Sequence, residues 1–167
     1  MTLRLSKVFT TQRLLLFAFI IFLSAHPSIA QKKKKIRQQK TYTVIKTAKT
    51  YMGTPYQYGG TSGKGIDCSG LMLRSFEKVD YKLPRTALEQ SKFGKKVGKK
   101  KIKPGDIVFF KFKEKGKKSW YHSGLVTSVI NDKPKFIHAS SSRGVVESDL
   151  TKDYYWKSIK GFRRVIR

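Results

Sequence analysis

The sequence predicts an α+β domain, with helices first and a small, mostly antiparallel sheet second. Three observations carry that expectation. Apolar residues recur at helical spacing in two early stretches, Val44, Ile45, Ala48, Tyr51 and Met52, then Cys68, Met72, Phe76 and Val79. Past Pro104-Gly105 the pattern changes to short runs rich in β-branched and aromatic residues. "NDKP" (Asn131 to Pro134) supplies turn chemistry between two of those runs, so sequential strands can pair antiparallel.

Each element follows from local chemistry. Gly53 and Pro55 stop the first helix, and "YGGTSGKG" (Tyr58 to Gly65) is a glycine-rich loop. Asp67 is well typed to cap the second helix, which places Cys68 at its start with the thiol on the packed stripe. "LPRTALEQ" turns at Pro84, and Thr86 with Glu89 fits a capping box on a short third helix. "DIVFFKF" (Asp106 to Phe112), "HSGLVTSVI" (His122 to Ile130) and "KFIHASS" (Lys135 to Ser141) read as strands. "GVVES" and "GFRRVIR" add two more, and no internal repeat is present.

The first thirty residues read as a secretory signal. Arg4, Lys7 and Arg13 precede the uncharged run "LLLFAFIIFL" (Leu14 to Leu23), and Pro27, Ser28 and Ala30 predict cleavage between Ala30 and Gln31. The apolar run is shorter than the about 20 residues that span a bilayer. No cysteine stands at the cleavage point, so a lipid anchor there is not expected. Residues 31–40, "QKKKKIRQQK", read as a basic disordered tether, and residues 41–167 as one domain. The product is expected to be exported, periplasmic or secreted, and monomeric.

The chain has 37 Lys+Arg against 10 Asp+Glu, a formal net charge of +27. Such a field attracts polyanions. Export directs attention away from nucleic acid and towards an anionic wall polymer or a membrane surface. A solvated basic surface without a partner accounts for the charge equally well.

Cys68 is the only cysteine, so no internal disulfide can form, and a free thiol in an oxidising compartment needs a reason. A helix start favours the thiolate and offers N–H groups to a developing oxyanion. Asp67 opposes the thiolate and is therefore expected to point away from it. His26 leaves with the signal, so His122 and His138 are the candidate bases. Cys68, His122 and His138 can supply nucleophile, base and orienting group for acyl transfer. The same residues also permit inert packing, or a zinc site, although their wide spacing argues against metal. Facing positions on a hairpin lie equidistant from its turn. The midpoint of His122 and His138 is residue 130, whereas the turn centres near Asp132, so a bulge or strong twist is needed to bring the rings together.

With these pieces assembled, the sequence resembles the NlpC family of papain-like cysteine peptidases, which cut bacterial cell-wall peptides. The matching pieces are "GTPYQYGG", "DCSGL", "LPRTALEQ", "KPGDIVFF", "HSGLV" and "FIHASSSRGV", in family order, with a looser match in "YYWKSIKGFRRVI". The resemblance implies a papain-like fold with the Cys helix packed on the sheet. It implies Cys68 as nucleophile, His122 as base and His138 as the third polar residue. Tyr56 matches a tyrosine lining the site, Asp67 and Ser69 the residues flanking the nucleophile that help bind the peptide stem, and Arg85 the "LPR" turn. The implied substrate is the peptidoglycan stem, at the bond from D-γ-glutamate to diaminopimelate or lysine, or at a D,D-crosslink. No cofactor is implied. Ser123 stands where the family commonly has an apolar residue, and no separate wall-binding domain precedes the catalytic one. A non-catalytic wall-binding module and another acyl-transfer activity, amidase or transpeptidase, remain as alternatives.

Overall fold

The computed structural model describes residues 28–113 and 119–167. The expected signal peptide lies almost wholly outside the described residues. Among the described residues no helix is long and apolar enough to cross a membrane. The chain divides into a unit ending at Ile36 and a packed body, Arg37–Arg167.

Helix α1 runs Ile29–Thr50. Residues 31–40, expected to be disordered, are therefore helical. Lys, Arg and Gln are good helix formers, and no Gly or Pro interrupts the stretch. In the second half Val44 and Ala48 are fully buried, with Ile45 and Tyr51 packed against the same core, while Met52 is exposed. The glycine-rich loop holds an unforeseen two-stranded hairpin, β1 (Thr61–Ser62) with β2 (Gly65–Ile66).

Helix α2, Cys68–Glu77, begins at the thiol. Asp67 caps it in extended conformation, its Oδ1 accepting from the Gly70 N–H at 2.6 Å. Cys68, Met72 and Phe76 are buried on one stripe, and Val79 is buried just past the helix end. Gly70 sits where a Cβ would lie 2.3 Å from the Gly60 carbonyl oxygen, so any side chain there would push the loop off the helix start. Helix α3, Ala87–Gln90, carries the full reciprocal capping box between Thr86 and Glu89.

Strands β3 (Lys95–Val97), β4 (Ile107–Phe112), β5 (Trp120–Ile130), β6 (Lys133–Ser140), β7 (Gly144–Asp149) and β8 (Ile159–Arg164) form one sheet in the order β3-β8-β4-β5-β6-β7. Every pairing is antiparallel. A short helix α4, Asp153–Trp156, precedes β8. Strand β3 and helix α4 were not foreseen, because neither shows enough apolar periodicity to register.

Both faces of the sheet are covered, which explains why β4 reads as the unbroken apolar run Ile107-Val108-Phe109-Phe110. Ile107 and Phe109 join α1 and α2 in one core with Leu71, Met72, Phe76, Leu125 and Ile137. Val108, Phe110 and Phe112 join a second core with Val126, Phe136, Leu150, Tyr155 and Phe162.

The β5–β6 hairpin decides what the site can be. Its loop is only Asn131-Asp132, both at positive φ (49° and 57°), the primed turn that matches strand twist. Next to the turn Ile130 pairs Lys133 and Ser128 pairs Lys135, and continued unbroken this register would set His138 across from Leu125, on the opposite face from His122. One extra residue, Thr127, shifts the pairing so that Val126 meets Phe136 and Leu125 meets Ile137. Beyond this bulge His138 falls across from Gly124 and shares a face with His122.

Candidate active site

Cys68, Tyr56, His122 and His138 line one hollow, together with Phe112, Trp120, Tyr121 and Ser140. The adjoining hollow also touches Tyr56, Cys68, Trp120 and Tyr121, and is completed by Asp67, Ser69, Arg85 and Leu88. Each candidate catalytic or substrate-binding residue named from the sequence thus borders one of two hollows that meet at Cys68.

The two imidazoles are hydrogen-bonded, His122 Nε2 to His138 Nδ1 at 2.9 Å, with the rings nearly perpendicular. That bond leaves Nδ1 of His122 as its other polar atom. Phe136 stacks on His138 at 4.6 Å between centroids, and Phe110 and Phe112 flank His122. These aromatic walls constrain the ring planes. His138 Nε2 lies 3.2 Å from Ser148 Oγ and 3.4 Å from Tyr155 Oη. Neither partner was foreseen, since a Ser on a strand and a Tyr in a short helix carry no catalytic signal in sequence.

The Asp67 carboxylate is held in a closed network, and its charge still opposes the Cys68 thiolate. Arg85 grips the carboxylate bidentately, Nη1 to Oδ1 at 3.1 Å and Nη2 to Oδ2 at 2.7 Å. Oδ2 also accepts from the Gly59 N–H, and the Ser69 hydroxyl donates to Oδ1. Arg85 in turn donates to Ser69 Oγ at 2.9 Å. Burial works against the Asp67 charge, but the Arg85 and Gly70 donors outweigh it and hold its pKa below the ordinary carboxylate value. Gln90, fully buried, donates to the carbonyls of Ser69 and Pro84, pinning the Arg85 turn to the start of α2. Asp67 is thus the joint of the site, and Arg85 is the more exposed member of the pair.

Electrostatics correct one expectation. Burial pushes the Cys68 thiol up rather than down, against the opposing pull of the Ser123 and Ser69 N–H groups. Burial also lowers His122 to about 4. His138 is lowered to about 3, by burial and then by the charges of His122 and Arg143. The resting site therefore favours a neutral thiol beside neutral imidazoles. The helix-start effect is present but is outweighed by desolvation. Burial and the neighbouring Cys68 likewise raise the Tyr56 phenol, keeping it a neutral donor.

Ser123, the departure noted in the sequence, is fully buried and lies against the sulfur. Its hydroxyl has no conventional hydrogen-bond partner, so its best acceptor is sulfur once that becomes anionic. Ser123→Ala is expected to raise the thiol pKa, because the sulfur anion loses one charge-assisted hydrogen bond. The pH dependence of iodoacetamide alkylation measures it, and an unmoved profile would show that the hydroxyl does not reach the anion.

The NlpC/P60 family profile matches residues 53–164, which take in every residue of the two hollows discussed above. The chain belongs to the NlpC/P60 family. Within the family it is 39% identical over 116 residues to a probable endopeptidase of Haemophilus influenzae, covering 69% of this chain and 68% of that protein. It is 37% identical over 122 residues to a γ-D-glutamyl-L-lysine dipeptidyl-peptidase of Bacillus subtilis, covering 72% of this chain but 40% of that longer protein. The crystal structure of an NlpC/P60 protein from Bacillus cereus superposes with a TM-score of 0.67 at 28% identity, covering 76% of this chain and 40% of that one. The α+β architecture inferred from sequence is thus the NlpC/P60 fold.

Proposed function

We propose that this NlpC/P60 protein is an exported cysteine endopeptidase that hydrolyses peptidoglycan stem peptides, at the bond between the γ-carboxyl of D-glutamate and the amine of diaminopimelate or lysine. The observation that carries this reading is a thiol in the first turn of a helix that shares one hollow with a hydrogen-bonded imidazole pair. The names of the Haemophilus and Bacillus relatives support the reaction class and the bond. The apolar run after Arg13 supports export.

Cys68 attacks the amide carbonyl carbon while its proton passes to Nδ1 of His122. N–H groups at the start of α2 hold the oxyanion. His122 then gives the proton to the departing amine, leaving a thioester, and afterwards activates the water that hydrolyses it. His138 accepts the Nε2–H of His122 and so keeps Nδ1 free for the sulfur. Tyr56, Ser69 and Arg85 hold the stem in the second hollow, while Asp67 fixes Arg85. Because burial favours the neutral thiol, proton transfer accompanies attack rather than preceding it.

The exposed lysines of α1, Lys32 to Lys35, retain the enzyme on anionic wall polymer. Purified sacculi and defined stem peptides, digested and analysed by mass, test the proposal. Fragments ending in D-γ-glutamate support it; fragments cut only elsewhere, or none, reject it. In the same assay sacculus binding should weaken as ionic strength rises through about 0.1 M, where screening reaches about 10 Å. Salt-independent binding removes the electrostatic part alone.

A further inference from the structure

The base and its partner rest on two hydroxyls, Ser148 and Tyr155, to which the sequence assigned no role. His138 Nε2 faces Ser148 Oγ at 3.2 Å and Tyr155 Oη at 3.4 Å, from strand β7 and helix α4 respectively. Arg143 in turn donates to Tyr155 Oη at 3.5 Å. His138 is 3% exposed and Tyr155 8%, while Ser148 is half-buried on β7.

The proton inventory of the pair leaves one arrangement for catalysis. When His122 has taken the thiol proton it is an imidazolium, with hydrogens on both nitrogens. Its Nε2–H must then donate to His138 Nδ1 across the 2.9 Å bond. His138 Nδ1 therefore carries no hydrogen. His138 is buried, stacked on Phe136 and near the Arg143 cation, and so stays neutral. A neutral imidazole without a hydrogen on Nδ1 carries it on Nε2, and that hydrogen needs an acceptor. The opposite tautomer would have His138 donate to His122. That would place the His122 hydrogen on Nδ1 and block it as a base.

We infer that Ser148 and Tyr155 are positioning residues, accepting the Nε2–H of His138 and so holding it in the tautomer whose Nδ1 can accept the hydrogen bond from His122 Nε2–H. This rests on the proposed role of His122 as base. It adds that the Cys-His-His line continues to a hydroxyl pair, so that the working state of the base is set two residues away from the sulfur.

Ser148→Ala and Tyr155→Phe each remove one oxygen. The double variant is expected to lose about tenfold in kcat with KM changed less than twofold, since both hydroxyls act through the tautomer of His138 and Tyr155→Phe keeps the ring that lines the hollow. Ser148→Thr, which keeps an acceptor, should restore most of the rate in the Tyr155→Phe background. ¹⁵N-resolved NMR of the histidine rings gives the independent readout. The wild type should show the His138 hydrogen on Nε2, and the double variant a mixture of tautomers. A wild-type hydrogen on Nδ1 overturns the inference outright, whatever the activity and even if the double variant does not fold. So does a folded double variant with unchanged kcat, or one whose kcat falls while the tautomer stays fixed. Loss of the parent reading would look different: His122→Ala would still release peptide, while the tautomer result would stand on its own.

Discussion

Cys68→Ala is expected to abolish peptide release from sacculi, with a loss of at least about 10⁴ in kcat/KM, and to leave the fold intact. The size follows from chemistry: Ala cannot form the thioester, and no other thiol exists in the chain to replace it. The fold survives because Cys68 contributes only a small packed side chain to the start of α2, whose cap is made by Asp67 rather than by the sulfur. The circular dichroism spectrum and thermal midpoint of the variant should match the wild type within a few degrees. Retained hydrolysis in a folded variant would remove the nucleophile assignment. The wild type should also show an unusual pH profile. His122 must be neutral to accept the thiol proton, and burial lowers its pKa to about 4. The acid limb of kcat/KM should therefore fall near pH 4 rather than near the ordinary imidazole value of about 6.5. The sign is fixed by the same desolvation: a group that resists protonation in the folded site stays competent as pH falls, until its own lowered pKa is reached.

Arg164→Met is expected to be the most damaging single change to stability, at roughly 3–5 kcal/mol. The Asp106 carboxylate is fully buried at the head of β4. Arg164, at the end of β8, donates to both its oxygens, Nε to Oδ1 at 2.7 Å and Nη2 to Oδ2 at 2.8 Å. The Lys103 N–H also donates to Oδ2, and Arg164 further donates to the Lys101 carbonyl. Methionine fills most of the volume but supplies no donor, leaving a buried anion with a single N–H. Urea denaturation of the two proteins measures the difference. Adding Asp106→Asn to Arg164→Met should recover a substantial part of the loss, because the stranded charge and not the missing contact causes most of it. A loss under about 1 kcal/mol would place this pair with ordinary surface ion pairs.

The two residues of that pair were visible only as members of separate sequence pieces, "KPGDIVFF" and "GFRRVIR". Nothing local says that Asp106 and Arg164 meet, because the contact exists only once β4 and β8 pair. The Asp67–Arg85 joint is similar. Asp67 was legible as a cap from its position before an apolar stripe, but its bidentate partner comes from a turn eighteen residues on. Even the direction of the Cys68 shift depended on assembly. The helix-start effect is local and was anticipated, whereas the larger desolvation is supplied by the sheet and loops closing over the sulfur.

By itself the sequence determined the helix that begins at Cys68, its Asp67 cap, the Thr86–Glu89 box, the strand-rich second half and the residues bordering the hollows. The helices, caps and strands follow from spacing and capping chemistry within a few residues, whereas Tyr56, Ser69 and Arg85 as site residues were implied only by the resemblance to the NlpC family. Tertiary structure alone decided the partnership of the two histidines. The turn at Asn131-Asp132 would have set His122 and His138 on opposite faces of the hairpin, and the extra residue at Thr127 returns them to the same face. A bulge leaves little mark in sequence, because its stability comes from the pairing and packing of both strands at once.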